Sequence, residues 1–190
     1  KMATAALEGQ AQREAMLEAE QEELALAEAA AEGQVCEVAN DNDPTQVVIS
    51  GHAEAIDRAI EMAKDHGIKR GIKLPVSAPF HCSLMGPAAL RMKRALGDTP
   101  PEAFTVPLYA NVTAARVTDP AEEQALLVEQ ITGRVRWRES VIAMREAGIE
   151  RFVELGGKVL GPMIGRIDKD AATVSLVTME DLENFAKENA

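Results

Sequence analysis

From Gln34 onward the chain alternates short apolar, β-branched runs with amphipathic helical stretches, and that alternation restricts it to a mixed α/β architecture. The stretch "QVCEVAND" reads as a strand, the turn "NDPT" reverses it, and "QVVISG" returns as a second strand closed by a glycine. In "HAEAIDRAIEMAKDHG", Ala55, Ile56, Ala59, Ile60 and Ala63 share one helical face and Gly67 supplies the stop. "IKRGIKLP" then reads as a third strand. Ahead of these, residues 4–33 are rich in Ala, Glu and Leu. They read as a helix with an acidic outer face, broken near Gly9 and ended by Gly33, burying a narrow seam of Met16, Leu17, Leu24, Leu26 and Ala30. A helix, two strands, a helix and a strand suggest a ferredoxin-like small unit over residues 1–75.

Pro75 and Pro79 interrupt the chain and deliver it to "SAPFHCSLM". Residues 76–190 read as a helix from about Leu84 to Gly97, a strand "VPLYANVT", helices "AEEQALLVEQIT" and "RWRESVIAMREAG", and a strand "RFVEL". A helix "KVLGPMIGRI", a strand "TVSLV" and a terminal helix follow. Such a succession favours an α/β layer with parallel strands.

Composition narrows the functions available. The net charge of -11 argues against nucleic acid as the main ligand, since neutralising phosphates requires a basic face. Two cysteines are too few for a disulfide framework, so a reducing cytoplasm is expected. No apolar run reaches the length of a membrane span and no basic-then-apolar leader precedes the first helix, so no membrane association is expected. The histidines and cysteines lack metal-ligand spacing.

His81 is the residue best suited to proton transfer, because its unperturbed pKa lies near neutrality and it sits where the small unit hands over to the α/β layer. A histidine packed at a helix N-terminus is the competing reading. His52 and His66 fall at helix ends, where capping or solvation is expected. Cys82 follows His81, but adjacent side chains point apart, and a buried structural thiol is expected in place of a nucleophile. The chain holds no Gly-x-Ser-x-Gly elbow, no phosphate-binding P-loop and no Gly-x-Gly-x-x-Gly. "LGGKVLG" at a strand-to-helix junction is either a tight turn or an anion cradle. The basic clusters "KRGIK", "RMKR" and "GRVRWR" read as solvated faces, or as a receiver of phosphates or an acidic protein if they surround a cleft.

Taken in order, "VANDNDPTQVVISGHAEAIDRAIEMAKDHGIKRGIKLPVSAPFHCSLMGPAA", "VPLYANVTA", "LVEQITGRVRWRESV" and "RFVELGGKVLGPMIGRI" resemble the malonyl-CoA:acyl carrier protein transacylases over roughly Gln34 to Arg166. The resemblance implies a ferredoxin-like small subdomain (1–75) joined to the C-terminal part of an α/β-hydrolase-like acyltransferase subdomain (76–190). It implies malonyl-CoA as substrate, acyl carrier protein as partner, and neither metal nor bound cofactor. His81 matches the family's catalytic histidine, and Gln130 matches the residue whose backbone carbonyl orients that ring. Asn40 and Asn42 fall in a cleft-lining Asn-x-Asn segment as substrate-binding candidates, and Phe80 is compatible with malonyl choice. The family's nucleophilic serine, its carboxylate-binding arginine and an oxyanion-hole glutamine lie N-terminal to the matching region and are absent here, so this chain is expected to supply the histidine and not the serine. A non-catalytic interaction module is the alternative, and acyl transfer through Cys82 a third. Where the family usually reads Gly-x-Gly-Lys-Val-Leu, this chain has Gly156-Gly157-Lys158-Val159-Leu160, one residue shorter.

Overall fold

A computed structural model describes residues 21–65, 68 and 71–189. Met16, Leu17, the break near Gly9, His66, Gly67, Lys69 and Arg70 lie outside the described residues.

Residues 21–31 are helical (α1), and strands β1 (Cys36–Asp43) and β2 (Gln46–Gly51) form an antiparallel hairpin. Helix α2 (Ala53–Ala63) follows. Small residues on the two helices allow close approach to the sheet: Ala27 and Ala30 of α1 and Ala55 and Ala59 of α2 pack with Cys36 and Val38 in one buried cluster. Leu24, expected in the seam, is exposed, and Leu26 and Ala27 take the inner face. α1 stops as expected at Gly33, which has φ +85°. Its last carbonyls are satisfied from α2: Arg58 donates to the carbonyl oxygens of Ala30 (2.9 Å) and Ala31 (3.0 Å).

The sequence "IKRGIKLP" forms no strand among its described residues; residues 71–76 run exposed to Pro75. The third strand of this sheet is β5 (Val135–Arg136), from the other end of the chain, which pairs parallel with β1 at Asn40↔Val135 and Asp41↔Arg136. The order β2-β1-β5 therefore replaces the three sequential strands expected of residues 1–75, and the sheet crosses the boundary placed at 75/76. β1 is the central strand, and its buried side chains are not all apolar: Asp41 and Asp43 carry ionic partners on later helices.

A short 3₁₀ turn (Ser83–Met85) leads into α3 (Gly86–Asp98), with Pro87 in its first turn. "VPLYANVT" is not one strand but β3 (Leu108–Ala110) and the start of a hairpin, turning through Ala114 (φ +51°) into β4 (Ala115–Val117). Helix α4 (Pro120–Glu129), capped by the Asp119 side chain, covers this hairpin with Leu126 against Ala110 and Val117. α3 lies along α4, where Gln124 Nε2 donates to the Leu96 carbonyl at 3.1 Å. Helix α5 (Trp137–Glu146), strand β6 (Arg151–Leu155), helix α6 (Leu160–Ile167), strand β7 (Ala172–Leu176) and helix α7 (Met179–Glu188) complete the order. β6 and β7 pair in parallel, as the alternation predicts. A capping box between Thr178 and Asp181 starts α7.

Candidate active site

Two loops bring the candidate site together. The first runs from Pro79 to Ser83. Phe80 N–H bonds the Ala78 carbonyl, and His81 then takes φ +58°, a left-handed conformation that a side chain other than glycine adopts only under constraint. Cys82 is fully buried with its Sγ donating to the Pro79 carbonyl at 3.1 Å, which closes the turn from inside and leaves no thiol facing the surface.

The second loop is the C-terminal end of α4. Helix ends leave carbonyls without intrahelical partners. Here Gly133 N–H returns to the Glu129 carbonyl at 2.9 Å, and the carbonyls of Gln130 and Gly133 are left pointing at the histidine. His81 Nδ1 lies 2.9 Å from the Gln130 oxygen and 3.2 Å from the Gly133 oxygen. Both partners only accept, so Nδ1 carries a proton and donates, which in the neutral ring leaves the lone pair on Nε2. The ring borders a shallow, open depression of ≈ 320 Å³ lined also by Phe80, Met85, Ala88, Gln130 and Ile131. Met85 and Ala88 are shared with a neighbouring hollow that Arg91 reaches. Nε2 makes no hydrogen bond among the described residues, and an imidazole fixed on one nitrogen and free on the other can accept a proton from a hydroxyl or thiol and return it.

Asn40 and Asn42 stand on β1 and are half-buried, whereas Asp41 and Asp43 are buried. Asn40 is paired with Val135, two residues beyond Gly133, so it lies beside the loop that holds the ring. Asn42 Nδ2 donates to Gln46 Oε1 at 3.2 Å within the hairpin. Among the described residues neither asparagine shares a hydrogen bond with His81.

Sequence reasoning missed Glu37. Its carboxylate reaches from β1 to Ser83, accepting the backbone N–H at 2.9 Å and the hydroxyl at 2.6 Å. No local pattern marks this residue, because its partner is 46 positions away. The expected solvated face "GRVRWR" is also corrected. Arg136 and Arg134 pair with Glu139, and Arg138 is buried on Asp41, so those cations serve the fold. Burial pushes the Glu139 carboxyl up, but the hydrogen bonds and charge of Arg136, aided by Arg134 and Arg138, outweigh it and hold the pKa below the usual range. Arg91, Lys93 and Arg94 of "RMKR" are exposed on α3 as expected.

"LGGKVLG" resolves as both a turn and a cradle, already filled. Gly156 has φ +86°, and the Glu154 carboxylate accepts the N–H groups of Val159 (2.8 Å), Leu160 (3.0 Å) and Gly161 (3.1 Å) at the start of α6. These bonds, Val159's first, hold the Glu154 carboxyl below its ordinary pKa. His52 stands at the N-terminus of α2 but caps nothing there; its Nδ1 accepts the Val35 N–H at 2.9 Å. Among the described residues no cluster of His, Cys, Asp and Glu is arranged to hold a metal ion, and no helix is long and apolar enough to cross a membrane.

The mixed α/β fold with its small sheets is that of acyl-group transferases of known structure. An acyl-carrier-protein-S-malonyltransferase from Bartonella henselae superposes with TM-score 0.84 at 44% identity, over 89% of this chain and 54% of that one. A chain from the structure of a type II PKS acyl-carrier protein in complex with its malonyl-transacylase matches with TM-score 0.83 at 33% identity, over 88% of this chain and 54% of that one. By sequence the chain is similar to proteins named malonyl CoA-acyl carrier protein transacylase. It is 38% identical to that of Bacillus subtilis (strain 168) over 153 residues, covering 80% of this chain and 48% of the relative. Identity to the Salmonella typhimurium protein of the same name is 44% over 141 residues, 74% of this chain and 46% of the other. The chain thus spans about half the length of the curated relatives it matches. No protein-family model matches it.

Proposed function

We propose that this chain supplies the general base for moving a malonyl group from malonyl-CoA to the thiol of acyl carrier protein through a serine-linked acyl-enzyme. The observation that carries the reading is the His81 ring, fixed through Nδ1 on the carbonyls of Gln130 and Gly133, with no hydrogen bond to Nε2 among the described residues. In the first half-reaction His81 Nε2 takes the proton of a serine hydroxyl as its oxygen attacks the thioester carbonyl. The carbon–sulfur bond then breaks and the departing thiolate receives that proton. In the second, Nε2 takes the proton of the carrier thiol, the sulfur attacks the serine ester, and the serine oxygen leaves with the proton. The imidazolium formed each time is stabilised by two carbonyl dipoles where other enzymes use a carboxylate. Asn40 and Asn42 border the substrate, and neither a metal nor a bound cofactor takes part.

The serine is not one of this chain's. None lies in a Gly-x-Ser-x-Gly elbow, and Ser83, near His81 in sequence, is engaged by Glu37. Conversion therefore requires a nucleophile elbow from outside these residues. That same feature favours a second reading, in which these residues act alone as a non-catalytic interaction module. Intact-mass analysis after incubation with malonyl-CoA tests both. No adduct is expected on the chain alone, whereas the chain joined to an elbow-bearing segment should acquire one malonyl group and pass it to carrier protein. Loss of that transfer on His81→Ala supports the base assignment; transfer at the unsubstituted rate would refute it.

A further inference from the structure

His81 is held in a left-handed backbone conformation, which persists in a residue with a Cβ only where its surroundings over-determine it. Ring contacts to Gln130 and Gly133 fix one side of the residue. The other side is fixed by Ser83, whose two donors both engage the Glu37 carboxylate. Bidentate, charge-assisted bonds of this kind specify geometry as well as energy. Glu37 also lies on the strand that positions the acceptors: β1 pairs with β5 at Val135, two residues past Gly133. One strand therefore grips both the turn carrying the imidazole and the loop carrying its two carbonyls.

We infer that Glu37 is a positioning residue for the histidine: by clamping Ser83 to β1 it sets the distance from Nδ1 to the Gln130 and Gly133 carbonyls and so fixes the proton on Nδ1. This rests on His81 being the base. A clamp that merely stabilised the 3₁₀ turn would leave the tautomer alone, and an unrestrained imidazole in water favours the Nε2–H form. The tautomer ratio is thus a readout that requires no turnover.

Long-range ¹H–¹⁵N correlation on histidine-labelled chain, with magic-angle spinning if the sample associates, measures it; His81→Gln assigns the signal. The unsubstituted chain should be almost wholly Nδ1–H. Glu37→Ala should raise the Nε2–H to Nδ1–H ratio about five-fold or more. Ser83→Ala should shift it the same way by less, and Glu37→Gln, whose oxygen can accept the Ser83 N–H while its amide donates to the hydroxyl oxygen, should stay near the unsubstituted ratio. His52, held by the Val35 N–H, reports whether the fold survives. An unchanged ratio in folded Glu37→Ala overturns the clamp; if that variant does not fold, an unchanged ratio in Ser83→Ala overturns it. Because malonyl transfer by His81→Ala tests the base separately, failure of one leaves the other intact.

Discussion

Arg138 Nε donates to Asp41 Oδ2 at 2.9 Å with both side chains buried, tying α5 to the central strand of the small sheet across 97 residues. Burial pushes the Asp41 carboxyl up, and Arg138 only partly offsets this. Asp41 Oδ1 has no partner among the described residues. Arg138→Ala should therefore cost about 3–5 kcal/mol by leaving a buried carboxylate unpaired, whereas Asp41→Leu with Arg138→Met should cost far less. Urea denaturation of the three proteins measures both.

Asp43, one pleat along, behaves oppositely. Burial pushes its carboxyl up, but hydrogen bonds from Arg166 and Thr45 outweigh this and hold its pKa below the ordinary 3.8. A lowered folded pKa means that the unfolded state binds the proton more readily. The stabilisation is complete above about the ordinary value and is lost as pH falls through the folded one. Denaturation midpoints of the unsubstituted chain should drop more steeply below pH ~4 than those of Asp43→Asn, which should begin lower at neutral pH. Parallel curves would show that Asp43 is not the titrating group.

Gln130 acts through its backbone, so Gln130→Ala should leave the Nδ1–H tautomer of His81 in place. Gly133→Ala should not: a Cβ there would meet Val112 Cγ1 at 2.8 Å and the Glu129 carbonyl at 3.1 Å, and the loop must shift. A loss of about 1–3 kcal/mol is expected from the overpacking, with weakening of the second carbonyl contact. The tautomer ratio together with thermal unfolding separates the two substitutions.

Glu154 occupies the N-terminus of α6, and Glu154→Ala should accelerate amide exchange at Val159, Leu160 and Gly161 together. Exchange confined to one of the three would mean that the carboxylate is not their common acceptor.

Parallel strands are ordinarily covered on both faces, yet the β6–β7 pair leaves Val153 40% and Leu155 71% exposed, with Val177 47% exposed just beyond. The isolated chain should associate through this face. Leu155→Lys with Val177→Lys should shift sedimentation toward monomer without loss of helical signal.

The succession of strands and helices, the stop at Gly33, the buried thiol of Cys82 and the alanine face of α2 were legible in the sequence, because each depends on residues within a few positions of one another. "IKRGIKLP" was misread for the complementary reason: its composition suits a strand, but the place beside β1 belongs to Val135 and Arg136, and only long-range packing decides between competitors for one edge. The motif order around His81 and Gln130 pointed to a site by resemblance. The 2.9 Å contact between them, the left-handed turn and the grip of Glu37 on Ser83 exist only once distant segments are folded together. Local propensity determined which elements form. Burial determined which charges pair, since Asp41, Asp43 and Arg138 look like surface residues until the sheet closes over them.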